Sequence, residues 1–103
     1  MIVNYNNTSD TLKLLEQLKK NSFTNFDILV FDNNSNENLD ELENFKGTKL
    51  IRNKENLGLT GGVNKALKYI KNKYVLLLNP DIEIDKNAIN ELLSLIEKDE
   101  KIA

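Results

Sequence analysis

Cysteine and histidine are both absent from the 103 residues. Without thiols, disulfide scaffolds, zinc–cysteine sites and thiol catalysis are excluded, and the redox compartment is not legible. Without imidazole, the commonest general base and transition-metal ligand are missing, so acid–base or metal work falls to carboxylates, amides and the backbone. Nor is positive charge in excess. Fourteen Lys and Arg against 16 Asp and Glu give a net charge of −2, which leaves no basic patch for nucleic acid. No apolar run approaches the roughly 20 residues of a membrane span, and Met1 leads into polar residues rather than a signal peptide. With 40% hydrophobic and 29% charged residues, the chain reads as one soluble domain with a modest core, small for an α/β enzyme.

Proline occurs once, as Pro80, at the end of the stretch around which the chain is organised: Tyr74-Val75-Leu76-Leu77-Leu78-Asn79-Pro80-Asp81. Residues 75–78 are too few for a membrane span and lack the alternation of a half-exposed strand, so the expected element is a strand buried on both faces of a parallel sheet. Pro80 stops its ladder and leaves Asp81 at the strand's carboxyl end, the rim where open α/β sheets bind ligands.

Upstream, residues 1–3 read as a short strand ending in the turn-formers of residues 4–7, with Tyr5 at its carboxyl end. A helix follows from a Thr8 or Ser9 cap to about Lys20, with Thr11, Leu14, Leu15 and Leu18 as its inward stripe. Residues 26–31 form a second strand that breaks at Asp32, Asn33, Asn34 and Ser35, and residues 37–45 hold a short helix with Leu39 and Leu42 inward. Gly47 turns into a third strand at 48–51. A glycine-bearing loop at 56–62 then feeds a helix whose face is Val63, Ala66, Leu67 and Ile70. After the fourth strand, Ile82 and Ile84 alternate with carboxylates as a short strand, and a last helix begins near an Asp85 cap, with Ile89, Leu92, Leu93 and Ile96 inward.

This alternation predicts a Rossmann-like α/β fold, a parallel sheet of order 3-2-1-4 with helices on both faces. In that order the winding reverses between strands one and four, and Tyr5, Asp32 and Asp81 converge on one crevice.

Each candidate group has a plain reading beside the functional one. Asp81, Glu83 and Asp85 resemble the opening of a calcium loop, but Lys86 and Leu92 stand where the glycine and bidentate glutamate belong. Glu83 and Asp85 read as a solvated face and a helix cap. Asp81 is either a turn aspartate or a ligand for Mg²⁺ or Mn²⁺, with water and phosphate oxygens completing the shell. Asp32 stabilises its own turn or accepts N–H groups from a base or sugar edge. Tyr5 packs on the rim or offers a flat platform to a base. The loop bearing Gly58, Gly61 and Gly62 lacks the spacing of the dinucleotide fingerprint and of the P-loop, yet it offers N–H groups at a helix N-terminus to a diphosphate.

Four blocks in this order resemble the nucleotide-sugar-binding half of a family 2 glycosyltransferase of the GT-A type, near its rhamnosyltransferase-like branch. They are Ile2-Val3-Asn4-Tyr5-Asn6, Val30-Phe31-Asp32-Asn33-Asn34-Ser35, Asn56-Leu57-Gly58-Leu59-Thr60-Gly61-Gly62-Val63-Asn64 and Leu77-Leu78-Asn79-Pro80-Asp81. The resemblance implies a nucleotide-binding set of Tyr5, Asp32, Asn34, Gly61, Gly62, Asn64 and Asn79, with Tyr5 and Asp32 flanking the base. It implies that Asp81 holds Mg²⁺ or Mn²⁺ where the family carries Asp-x-Asp, Asn79 standing in for the first aspartate. The implied partners are a UDP- or dTDP-linked sugar and, in the full-length protein, a glycan or lipid-linked acceptor of polysaccharide biosynthesis, with no nucleic acid. The implied place is the cytoplasm, peripheral to a membrane or not.

Family members run at least as long again, so residues 1–103 are expected to be a truncated GT-A domain without its acceptor half or a catalytic base. The other reading is a noncatalytic nucleotide-binding or assembly module. A homodimer through the sheet edge or the last helix is expected from the apolar side chains left uncovered.

Overall fold

Residues whose side chains alternate between two faces make the centre of the protein. The computed structural model describes residues 1–22 and 25–98. Its sheet consists of β1 (Ile2–Asn4), β2 (Ile28–Asp32) and β3 (Thr48–Arg52), all parallel, in the order β1-β2-β3. Ile2 lies beside Val30 and Val30 beside Leu50, and all three face one layer, built from α1 (Thr8–Lys19) and α2 (Asp40–Glu43). Leu14, Leu15, Leu18, Leu39 and Leu42 close that layer. The intervening residues Val3, Leu29 and Phe31 face the other layer, where Ala66 of α3 (Gly58–Leu67) packs on them. The two layers follow from the two-residue period of a strand, and they cover both faces of the sheet as a parallel sheet requires.

β2 begins two residues later than the sequence predicts, because β3 starts at Thr48 opposite Ile28 and offers no partner to Phe26 or Asp27. Phe26 packs instead at the margin of the first layer. The helix stripe of Thr11, Leu14, Leu15 and Leu18 is buried as expected, but neither Thr8 nor Ser9 is the cap. Asn7 precedes the helix without a capping bond of its own, and the Glu37 carboxylate takes over. Its Oε1 accepts from both the backbone N–H and the hydroxyl of Thr8, each at 3.2 Å. A carboxylate there meets unpaired N–H groups and the positive end of the helix dipole together.

The glycines also sit differently from expectation. α3 already starts at Gly58, whose φ of +72° makes the bend, so Gly61 and Gly62 belong to its first turns rather than to a loop. Leu67, expected inward, is 42% exposed. The helix lies too close to the sheet for a larger residue at its contact point: a Cβ on Gly62 would fall 2.9 Å from Asn33 Nδ2 and 3.3 Å from Val3 Cγ1.

The fourth strand is the largest correction. Residues 75–78 contribute one parallel bridge, Leu78 to Ile2, with Leu78 N–H donating to Met1 O at 3.0 Å and the Met1 amino group donating to Leu76 O at 2.8 Å. The bridge lies on the β1 side, where a fourth strand of order 3-2-1-4 belongs. Leu78 is buried, but Val75, Leu76 and Leu77 are exposed rather than covered on both faces. β1 is only three residues long and offers residues 75–77 almost nothing to pair with. Burial holds the Met1 amino group below its ordinary value of 8.0.

Residues 82–84 form no strand; Ile82 is exposed while Ile84 packs against the first layer. α4 (Ala88–Lys98) starts three residues past Asp85, whose main-chain oxygen accepts from Ala88 N–H, and Leu92, expected inward, is exposed. Ser22 anchors the approach to α4, its backbone N–H and hydroxyl both donating to Lys86 O. No helix among the described residues is long and apolar enough to cross a membrane.

Candidate functional site

The carboxyl ends of β1 and β2 are tied together by polar side chains. Asn4 and Asp32 are paired across the two strands and both are almost completely buried. Asn4 Nδ2 donates to Asp32 Oδ1 at 3.0 Å, and Thr11 Oγ1 of α1 donates to Asn4 Oδ1 at 2.7 Å. The same carboxylate closes its own turn, accepting from Ser35 N–H at Oδ2 (2.9 Å) and from Ser35 Oγ at Oδ1 (2.6 Å). A buried carboxylate is tolerable on such terms, because each donor replaces a water it gave up.

Ser35 carries the network out to the rim. Its hydroxyl accepts from Asn6 N–H at 2.8 Å, while Asn6 Oδ1 accepts from Asn36 N–H at 2.8 Å. Both loops bend through left-handed residues at this clasp, Asn6 at φ +49° and Asn34 at φ +69°, a conformation asparagine enters more readily than most.

Asn33 does for α3 what Asp32 does for β1. Its side chain is 2% exposed; Nδ2 donates to Gly58 O at 2.9 Å and Oδ1 accepts from Leu57 N–H at 3.2 Å. Those two bonds fix the start of α3 against the end of β2, and the bare Cα of Gly62 leaves room for them. Behind them Asn53 N–H donates to Asp32 O, and Lys65 Nζ donates to Asn53 Oδ1 at 2.6 Å. Arg52, at the end of β3, turns away to Glu43 of α2 at 2.7 Å.

Of the residues singled out in the sequence, Tyr5 stands at the end of β1 with 45% exposure, and Asn34 is exposed on the adjoining turn. Asp32 is internal rather than open. Gly61 and Gly62 lie in the first turns of α3, Gly62 buried, and Asn64 is exposed. Asn79 and Asp81 are exposed on the turn after Leu78, which the bridge to Ile2 places at the same rim as Tyr5 and Asp32. Among the described residues no hydrogen bond joins their side chains to the Asn4–Asp32–Ser35 network, and no three acidic side chains gather into a metal cluster. The supporting residues Asn4, Asn6, Thr11, Asn33, Ser35 and Glu37 receive no site role from sequence: Thr11 reads only as part of the α1 stripe, and Asn4, Asn6, Asn33 and Ser35 only as turn-formers. A cavity of about 710 Å³ opens at the opposite rim, beside the strand starts at Ile28 and Thr48, with Tyr69, Tyr74 and Leu76 in its lining. Its lining also holds Asp27, which accepts from Asn72, and Lys49 and Lys73 over the Tyr69 and Tyr74 rings. The carboxyl rim is the candidate site because open parallel sheets bind ligands at the carboxyl ends of their strands.

Known proteins share this architecture. The family model described as Glycosyl transferase family 2 matches residues 1–103. The chain is 30% identical over 99 residues to the low-salt glycan biosynthesis hexosyltransferase Agl10 of Haloferax volcanii, covering 92% of this chain and 31% of that protein. It is 30% identical over 101 residues to the amylovoran biosynthesis glycosyltransferase AmsB of Erwinia amylovora, covering 91% of this chain and 34% of that one. The crystal structure of S. aureus TarS 1-349 in complex with UDP superposes with a TM-score of 0.84 at 26% identity, over 95% of this chain and 31% of that chain. The chain thus spans about a third of the length of these relatives.

Proposed function

Because the chain belongs to glycosyl transferase family 2, we propose that residues 1–103 are the nucleotide-sugar-binding half of a glycosyltransferase. In the whole protein, a sugar passes from a UDP- or dTDP-linked donor to a hydroxyl of a glycan or lipid-linked acceptor. The observation that carries this reading is the carboxyl rim, where Asp32 and Asn33, adjacent in sequence, hold the Tyr5 loop on one side and the start of α3 on the other. That the TarS structure at 26% identity was solved with UDP supports a uridine nucleotide as the probe.

In this reading the Tyr5 ring lies flat against the base, and the exposed Asn34 turn, braced from beneath by the buried Asp32, closes its edge. The first turn of α3, with Gly61, Gly62 and Asn64, faces ribose and diphosphate, where helix N–H groups suit an anion. Asp81 holds Mg²⁺ or Mn²⁺, and Asn79 assists through its carbonyl oxygen or a water. One carboxylate and one amide exposed on a turn fit an ion that takes its remaining ligands from diphosphate and water. Such an ion offsets charge developing on the departing diphosphate when bound. The acceptor groove and the base that deprotonates the hydroxyl belong to the part of the relatives that this chain does not span. The reading also places the protein in the cytoplasm or at a membrane surface, and includes self-association of the chain through the open sheet edge or α4.

Calorimetric titration of UDP with Mn²⁺ and with chelator tests it. The expected result is weak binding that strengthens with metal, and loss of that metal dependence in Asp81→Ala with stability changed by no more than about 0.5 kcal/mol, as for an exposed residue. Equal affinity with metal and with chelator contradicts the role of Asp81.

A further inference from the structure

The hydroxyl of Ser35 is the atom through which Asp32 holds the Tyr5 loop. It donates to Asp32 Oδ1 at 2.6 Å and accepts from Asn6 N–H at 2.8 Å, so one atom joins a carboxylate at the end of β2 to the residue next to Tyr5. Asn36 N–H donates back to Asn6 Oδ1, making the link between the two loops reciprocal. Asn6 and Asn34 both hold positive φ beside it, a conformation that persists where surrounding bonds determine it. Asn6 is exposed and Ser35 half-buried. Asp32 retains the Asn4 Nδ2 and Ser35 N–H donors without the hydroxyl. The Ser35 hydroxyl is therefore placed to order the rim without being needed to hold the core.

We propose that Ser35 is a positioning residue for the nucleobase: its hydroxyl ties the loop bearing Tyr5 to the turn that the buried Asp32 braces, so that the Tyr5 ring and the exposed Asn34 turn bracket a pyrimidine base before it binds. The inference rests on the nucleotide reading of this rim. It extends that reading to a residue that need not touch the ligand, and it separates recognition of the base from that of the diphosphate, which lies toward α3. Preorganised loops spare the ligand the ordering cost that flexible ones impose.

Three variants of the full chain decide it, each titrated with UDP and with inorganic pyrophosphate in the presence of Mn²⁺, with amide exchange at Asn6 followed by NMR. In Ser35→Ala, UDP affinity falls about tenfold, pyrophosphate affinity stays within about twofold, and Asn6 N–H exchange accelerates, while the melting temperature shifts little. Ser35→Thr, which keeps the hydroxyl, restores UDP affinity and slow exchange. Asn6→Gly keeps positive φ accessible and leaves every Asp32 donor in place; it also weakens UDP while sparing pyrophosphate. Ser35→Ala that binds UDP as the wild type does overturns the inference and leaves the nucleotide reading standing. Proportional loss of UDP, pyrophosphate and melting temperature also overturns it, because the hydroxyl is then merely structural. A wild-type chain that holds Asn6 N–H slowly exchanging yet does not bind UDP overturns the nucleotide reading itself, and the inference with it.

Discussion

Two aspartates that look alike in the sequence, each at the end of an apolar run, do different work in the structure. Asp32 is 2% exposed and accepts from Asn4, from the Ser35 hydroxyl and from Ser35 N–H, whereas Asp81 is exposed on its turn with no such partners among the described residues. Removing Asp32 strands buried donors, so Asp32→Ala is expected to lower unfolding stability by about 1–3 kcal/mol in a urea titration. Asp81→Ala is expected to leave the same curve unchanged. If the two variants lose stability equally, the internal role of Asp32 is wrong. The sequence announced Asp32 as a strand-end carboxylate, but its partners are set by strand register and loop geometry. Asn4 is near Asp32 only because β1 pairs in parallel with β2, and no local pattern around residue 4 specifies that distance.

Periodicity made the elements far more legible than their ends. The stripe of Leu14, Leu15 and Leu18 located α1 and its buried face, because a 3.6-residue repeat of apolar side chains has few other folded solutions. The cap of that helix was invisible, since Glu37 reaches Thr8 from 29 residues away. Glu37→Ala is expected to cost about 1 kcal/mol in thermal or denaturant unfolding, the scale of a lost cap strengthened by the helix dipole, with Glu37→Gln losing less. Unfolding curves that superpose for wild type and Glu37→Ala contradict that role. The fourth strand failed as a sequence prediction for a related reason. Residues 75–78 have the composition of a buried strand, yet a strand needs a neighbour of matching length, and β1 supplies a single bridge. Composition states what a segment tolerates; pairing depends on what lies beside it.

At the scale of the whole molecule, apolar side chains are unevenly covered. Both layers over β1–β3 are closed, but Val75, Leu76 and Leu77 on the open edge and Leu92 and Leu95 on α4 remain exposed. An edge of this kind, with unpaired N–H and C=O groups, favours pairing with a second copy. Light scattering is expected to give a mass that rises with concentration, and Leu76→Lys is expected to shift it toward the monomer. A concentration-independent monomer contradicts this. The central claim is that the nucleotide binds at the carboxyl rim rather than in the cavity of about 710 Å³ at the opposite end of the strands. Amide chemical shifts recorded during a titration of ¹⁵N-labelled chain with UDP and Mg²⁺ test it most directly. The account predicts that the largest changes cluster at Tyr5, Asn6, Asn33, Ser35, Gly58 and Asp81; changes confined to Thr48, Tyr69, Tyr74 and Leu76, around the cavity, would contradict it.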